Sequence, residues 1–469
     1  MAEWTYDQIG DYLTDGFWEE DGFGRNHFDV GPGDTILVYV ENLTAVEQQY
    51  AINALQMWGD VTGIQFQTTT NFNISQIDFY NNDPSGAYGG ADEVIGEIIS
   101  YSSINIPTAW VEQLDGNNDD IATFDVDSYA FVTYVHEIGH ALGLGHAGSY
   151  DGFANFDLDY GDGNVGENLY DNDSWQATVM SYFSQDDNFT IDADYAYPIT
   201  PQIADIVAIQ ELYGVPTTTR AGNTTYGYNS NAGGIWDQMT SLTDAVTFTI
   251  FDSAGIDTVD LSEYGGDQYI DLRPGGISDV FGLTGNAMIA LNTIIENAIG
   301  GTGADVIVGN DANNVLAGLR GKDVLRGGDG DDLLKGGINR DWIFGGDGND
   351  TIRGGGGNDN LQGQDGDDDI WGANGNDRLT GGLGDDALIG GNGADTFVFR
   401  EADILTGGSD EIRDFQDNVD LIEIQGFAST DVNIASAGAD AFDVTIGSEN
   451  IHVVMNGGGT LALDDFIFA

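Results

Sequence analysis

Residues 136–146 read His-Glu-Ile-Gly-His-Ala-Leu-Gly-Leu-Gly-His. His136 and His140 are four apart, so on a helix their imidazoles leave from one face, one turn above the other. Such a pair can hold a divalent metal, and neutral imidazole suits zinc. Glu137 lies about 100° around the same turn, within reach of a water at the metal but outside the ligand positions. Gly143 can take a left-handed backbone, which would end the helix and turn the chain. The turn would return His146 as a third ligand and leave a fourth position open for water, the arrangement of a zinc hydrolase. The chain has five histidines, and three fall at these spacings. A helix that merely carries histidines explains that economy poorly.

The segment H-E-x-x-H-x-x-G-x-x-H resembles the metzincin metalloprotease signature. Downstream, Thr178-Val179-Met180-Ser181-Tyr182 resembles the methionine turn of the same family. The resemblance implies that Met180 forms an apolar floor beneath the metal. It also implies that Tyr182 is a displaceable further zinc ligand. Read without it, a Met in a short Thr/Val run is ordinary core.

These residues need a scaffold. At 469 residues the chain is long for one domain. Its 23 Phe, 20 Tyr and 8 Trp are ample for a core, despite a net charge of −67 that would otherwise suggest disorder. So acidic a surface repels phosphate, which makes nucleic acid a poor partner. The chain has no cysteine, which excludes disulfides, thiol ligands and thiol nucleophiles. There is no basic-then-apolar leader and no apolar run of about 18 residues, so membrane insertion is not expected.

Residues 1–216 read as a mixed α/β unit. Thr44-Ala45-Val46-Glu47 is a capping box, followed by Val46, Tyr50, Ala54, Leu55 and Trp58 at helical spacing. A second helix, about Phe131 to Leu142, carries the metal ligands. A third runs from Pro201 to Tyr213, with the proline in its first turn and Gly214 as its stop. Ser75 to Phe79 reads as a strand. Asp157, Asp159 and Asp162 are spaced like an EF-hand loop, but the glycine is misplaced, so a solvated acidic loop is expected there.

After Val215-Pro216 the composition shifts to short β-like runs between Gly and Asp. Residues 217–299 are expected to form a β-rich lead-in, 300–398 a repeat domain and 399–469 a C-terminal β cap. From Gly300 a nine-residue register begins, opened by Gly at 300, 309, 318, 327, 336, 345, 354, 363, 372, 381 and 390. The sixth position is Asp305, Asn314, Asp323, Asp332, Asp341, Asp350, Asp359, Asp368, Asp377, Asp386 and Asp395. The eighth is always large and apolar, from Ile307 to Phe397.

Six residues of Gly-rich turn and three of strand make half a coil of a flattened parallel β-helix, with the eighth side chain inward. Stacking then crowds Asp carboxylates, which is unfavourable without a cation. Carboxylate and carbonyl oxygens select Ca²⁺. The pattern G-G-x-G-x-D-x-apolar-x resembles the RTX calcium-binding repeat. The resemblance implies ligands from the repeat aspartates and from the carbonyls of Gly328, Gly330, Gly337, Gly346, Gly348, Gly355, Gly357, Gly382 and Gly384. Asn310, Leu319, Gln364 and Ala373 replace the second Gly, and Ala312 and Asn339 the fourth, which is expected to weaken some sites.

A metzincin domain followed by RTX repeats resembles the serralysin family of secreted bacterial metalloproteases, over nearly the whole chain. The Tyr6-Asp7 pair, Tyr226-Gly227-Tyr228-Asn229-Ser230 and the run 295–301 also carry the likeness. What the resemblance implies is a multi-domain chain, an α+β catalytic domain followed by an all-β parallel roll. It implies one catalytic zinc and several structural calcium ions. Further calcium ligands would be Arg220, Gly222 and Thr224, through carbonyls, with Asp252, Asp257 and Glu296. The tail Asp464-Asp465-Phe466-Ile467-Phe468-Ala469 resembles an uncleaved type I export signal, so the resemblance implies extracellular release by that machinery. A monomer acting on protein and peptide substrates, with a proteinaceous inhibitor as a further partner, completes the expectation. Two departures stand out: Gly145 replaces the common Ser and Ala147 the usual Pro, and both are expected to loosen the loop carrying His146.

The rival from another class is an RTX binding or adhesion protein with a vestigial metal site. An intact Glu137 and a complete ligand set argue against it. The sequence contains no G-x-S-x-G elbow, so a serine hydrolase is a distant third.

Overall fold

The structure is a computed structural model that describes residues 3–20, 24–114, 124–148, 169–188, 190–406, 408–438, 440–447, 449–456 and 459–469. Asp157, Asp159 and Asp162 lie outside the described residues. The chain forms two compact units: Met1–Thr224 with Ser230–Gly255 and Pro274–Thr293, and Thr225–Asn229 with Ile256–Arg273 and Ile294–Ala469. Three stretches beyond residue 216, namely 217–224, 230–255 and 274–293, therefore belong with the first unit. The reason is visible in a small sheet there, in which Val246–Ile250 pairs with Tyr197–Pro198 on one side and Ala287–Ile289 on the other.

In the first unit a six-stranded sheet is parallel throughout except for Tyr88–Ile95, which runs antiparallel along Ile98–Asn105 at one edge. The helix Ala45–Thr62 has the expected capping box at Thr44 and ends at Gly63 in a left-handed turn. The helix Tyr129–Ala141 starts at Ser128, whose hydroxyl accepts the Phe131 N–H. It is apolar nearly all round because it packs against the first helix and the antiparallel edge strand. The third helix, Ile203–Tyr213, starts two residues after Pro201; Gln202 is its cap, and Gly214 ends it as expected. The expected strand is Ile77–Tyr80.

The second unit is a roll whose repeat strands alternate between two parallel sheets, one of them extended at its end by the antiparallel strands Val432–Ser436, Ala441–Ile446 and Glu449–Met455. Each residue pairs with the one 18 further on, as in Leu325↔Ile343 and Leu334↔Ile352, so one coil is two nonapeptides. The eighth-position side chains from Ile307 to Phe397 are fully buried and form the apolar ladder. Strands such as Val324–Asp329 span six residues rather than three, because pairing continues through the glycines, for example Gly328↔Gly346. Leu319, Asn339, Gln364 and Ala373 keep the positive φ of the glycines they replace, at 72°, 88°, 91° and 82°. That conformation costs an L-residue about 1–2 kcal/mol. The tail ends in the strand Phe466–Phe468, paired to Leu421–Ile424. Among the described residues no helix is long and apolar enough to cross a membrane.

Candidate metal centre

The tail of the helix Tyr129–Ala141 delivers His136 and His140, and the chain then turns sharply. Gly143 has φ +109°, and a Cβ there would run into the Asn26 carbonyl. The turn returns His146, so the three imidazoles face one another. His140 Nε2 lies 3.1 Å from His136 Nε2 and 3.0 Å from His146 Nε2. Among the described residues this is the one cluster of three or more His, Cys, Asp or Glu groups with ligand spacing.

The tautomers follow from what lies behind the rings. His136 Nδ1 donates to the Val179 carbonyl and His140 Nδ1 to the Leu144 carbonyl, each at 2.8 Å. With protons there, both Nε2 lone pairs point into the cluster. Burial pushes His136 down to about 4 and His140 to about 3, so both are neutral at ordinary pH. Lone pairs gathered this closely repel one another unless a cation lies between them. A tetrahedral ion about 2.0–2.1 Å from each nitrogen would space them by about 3.3 Å. The donor set therefore fits zinc.

Glu137 is buried beside the histidines, and burial pushes its carboxyl up to about 8, opposed by the backbone N–H of Gly89. Gly89 lies on the edge strand Tyr88–Ile95, where a Cβ would collide with the Glu137 carbonyl. Glycine there lets the strand press against the helix. Tyr182 lies beside the cluster, its ring edge-on to that of His146 at 4.6 Å between centroids and tilted to that of His136 at 5.8 Å. Met180 is fully buried, and its sulfur rests where a side chain on Gly139 would stand. The methionine turn is anchored by Asp205, which the sequence reading missed. Its carboxylate accepts Thr178 Oγ1 at 2.5 Å and the N–H groups of Val179 at 2.7 Å and Gln202 at 2.8 Å. Burial raises Asp205 to about 6. An Asp three residues after a helix cap was the available signal.

The loop carrying His146 is tied down, contrary to the loosening expected of Gly145 and Ala147. Ala147 donates its N–H to the Met180 carbonyl at 3.3 Å, a bond that proline would forbid. Gly145 donates to Leu13 O at 2.8 Å.

In the roll, sixth-position carboxylates accept, through Oδ1, the N–H of the residue 18 positions earlier, as Asp341 does from Asp323 at 3.0 Å and Asp368 from Asp350 at 2.8 Å. The second oxygen, Oδ2, of Asp323, Asp332, Asp341, Asp350, Asp359, Asp368, Asp377 and Asp395 is buried without a hydrogen-bond partner. Such oxygens are costly unless a cation takes them. Burial pushes Asp332, Asp341 and Asp377 up to about 7 and Asp368 to about 8. Asp305 differs: its Oδ2 accepts the Gly301 N–H at 2.7 Å. Asp386 accepts the Asp368 N–H at 2.9 Å. The glycines Gly328, Gly337, Gly346, Gly355 and Gly382 sit on the paired strands with positive φ, and Gly330, Gly348, Gly357 and Gly384 in the turns. Of the further calcium residues, Arg220 and Gly222 both turn their carbonyls to Thr224 Oγ1, at 3.2 and 2.9 Å. Asp252 is buried in the same unit. In the second unit Glu296 accepts the Asp257 N–H at 2.7 Å.

The family model described as Peptidase M10 serralysin C terminal matches residues 215–452, and that described as Matrixin matches 35–155. A serralysin of Proteus mirabilis is 36% identical over 284 residues, covering 57% of this chain and 55% of that protein. The metallopeptidase AprA of Pseudomonas marginalis is 37% identical over 57% of this chain and 55% of its own length. Serralysin C of Dickeya chrysanthemi is 40% identical, over 59% and 55%. The chain thus spans about half the length of the curated relatives it matches. The extracellular lipase LipA of Serratia marcescens overlaps 51% of this chain and 48% of its own, at 18% identity and a TM-score of 0.21, too slight a likeness to bear on the fold.

Proposed function

The chain belongs to the M10 serralysin family, and on that premise we propose that it is a secreted zinc endopeptidase, cleaving peptide bonds of extracellular proteins. One observation carries the reading: three imidazoles, two of them held neutral by burial, converge on a point beside a buried glutamate. His136, His140 and His146 would hold the ion, with Tyr182 as an outer, displaceable ligand. Bound zinc would polarise the scissile carbonyl and acidify a water in the open position. Glu137 takes the proton of the attacking water and later gives it to the leaving amine. A carboxylate whose burial favours its protonated form is the stronger base for the first step and retains a proton for the second. The Tyr182 hydroxyl stabilises the developing oxyanion. Met180 and Asp205 touch no substrate; they hold the turn whose Val179 carbonyl orients His136.

The repeats would take Ca²⁺ between stacked turns, through the buried Oδ2 oxygens and glycine carbonyls, Asp305 and Asp386 included, and Arg220, Gly222, Thr224, Asp252, Asp257 and Glu296 would add sites that precede the repeats. Calcium would be scarce before export and plentiful after it, so the roll would fold outside the cell. Passage by the type I machinery, monomeric action and capture by a proteinaceous inhibitor belong to the same reading. An inactive adhesion protein would have no use for a glutamate kept buried at a metal site.

Casein hydrolysis by the purified chain, with zinc content measured in parallel, tests the reading. Activity that is lost on zinc removal and restored by zinc is the expected result; intact zinc with no hydrolysis of any protein substrate would overturn it.

A further inference from the structure

His136 and His140 ride on a helix, but His146 follows Gly143 on a loop, and something else must fix it. The neighbour is the N-terminal segment. The Phe17 ring meets the His146 imidazole edge to face, with centroids 5.4 Å apart and planes at 89°. Either side of His146's turn is bonded to the same segment: Trp18 Nε1 donates to the Gly143 carbonyl at 2.8 Å, and Gly145 donates to the Leu13 carbonyl at 2.8 Å.

Gly145 supplies an independent observation. Its backbone lies outside the left-handed region, so its conformation does not demand glycine. The space does, because a Cβ there would stand inside Phe17, against Cδ1, Cγ and Cβ of that side chain. Glycine at 145 and phenylalanine at 17 are therefore a matched pair. A half-buried aromatic ring occupies the volume a side chain would need and bears on the metal-binding ring one residue on.

We propose that Phe17 is a positioning residue for the third zinc ligand, seated by the absence of a side chain at Gly145. It touches neither substrate nor metal. It limits the rotation of the His146 imidazole, so that the third nitrogen is already in place when the ion arrives. Supports of this kind around metal ligands are worth on the order of 10–100-fold in metal affinity. The inference rests on the zinc reading above.

The test uses the full-length chain and four variants: Phe17→Ala, Phe17→Leu, Gly145→Ala and the double variant Phe17→Ala/Gly145→Ala. Zinc affinity is read by competition with a chelating dye, ligand geometry by the visible spectrum of the Co²⁺-substituted protein, and folding by thermal unfolding of the metal-free chain. Phe17→Ala should weaken zinc binding by about 10–100-fold and alter the cobalt spectrum, while kcat falls and KM holds. Phe17→Leu should recover most of the affinity. Gly145→Ala should be as weak as Phe17→Ala, and the double variant should bind better than Gly145→Ala, since removal of the ring makes room for the methyl. Wild-type affinity and spectrum in Phe17→Ala would overturn the proposal. So would equal losses in Phe17→Ala and Phe17→Leu that track a fall in unfolding temperature, the mark of a merely structural ring. A wild-type chain that takes up no zinc would overturn the zinc reading itself, an outcome distinct from either.

Discussion

The two units prepare for a cation in opposite ways. In the first, His136 and His140 are neutral, their tautomers are set by the Val179 and Leu144 carbonyls behind them, and the site's further supports come from Asn26, Gly89 and Asp205. In the second, eight buried carboxylate oxygens lack partners, and the other oxygen of each of those carboxylates accepts an N–H from the preceding coil, 18 residues earlier. Unloaded imidazoles are uncharged, so the first unit is built to stand without its ion. Unloaded carboxylates carry charge into low dielectric, so the second unit is not. On the proposed reading, zinc would be a reagent placed in a finished structure, and calcium a part of the structure.

The largest effect that can break this contrast is calcium removal. With EGTA, the full-length chain should lose most of the β signal of its roll in far-UV circular dichroism and regain it with Ca²⁺; zinc removal should change that signal little. A β signal indifferent to calcium would erase the distinction. Next is Tyr182→Phe, which should lower kcat by about 10²-fold, as loss of one oxyanion donor does, with a smaller change in KM and zinc retained. Equal losses of zinc and activity would make Tyr182 an ordinary ligand. Asp205→Asn keeps the shape but weakens the charge-assisted bonds to Thr178 and Val179. Zinc affinity should fall by about 10-fold through the loosened His136 support. An unchanged affinity would show that the turn holds itself.

The smallest effect sharpens the contrast through pH. The Asp332, Asp341, Asp368 and Asp377 carboxyls are raised from 3.8 to between about 7 and about 8 by burial. The folded roll therefore binds more protons than the unfolded chain over that window, and in EGTA its β signal should be fullest near pH 4 and be lost as pH rises to about 8. In saturating Ca²⁺ the sign should reverse, since protons compete with the ion. The same sign in both conditions would mean these carboxylates do not meet calcium.

What was legible in the chain was whatever is written locally. The histidine spacing, the methionine turn and the nonapeptide register each lie within a few residues, and the fold follows their periodicities. What was not legible depends on contacts across long separations. Gly89 meets Glu137 across 48 positions, and Phe17 meets Gly145 across 128. The strand Val246–Ile250 joins the first unit by pairing with Tyr197–Pro198, which no local pattern announces. Gly145 and Ala147 read as losses against the family pattern, because the Phe17 ring and the Met180 carbonyl that compensate for them are distant in sequence.

The central claim is that Glu137 does the proton chemistry at a zinc site the histidines hold without it. Glu137→Ala, assayed for zinc content and casein hydrolysis in the same preparation, tests it most directly. The account predicts one equivalent of zinc and a fall in kcat of at least about 10²–10⁴-fold. Full zinc with near wild-type hydrolysis would contradict it.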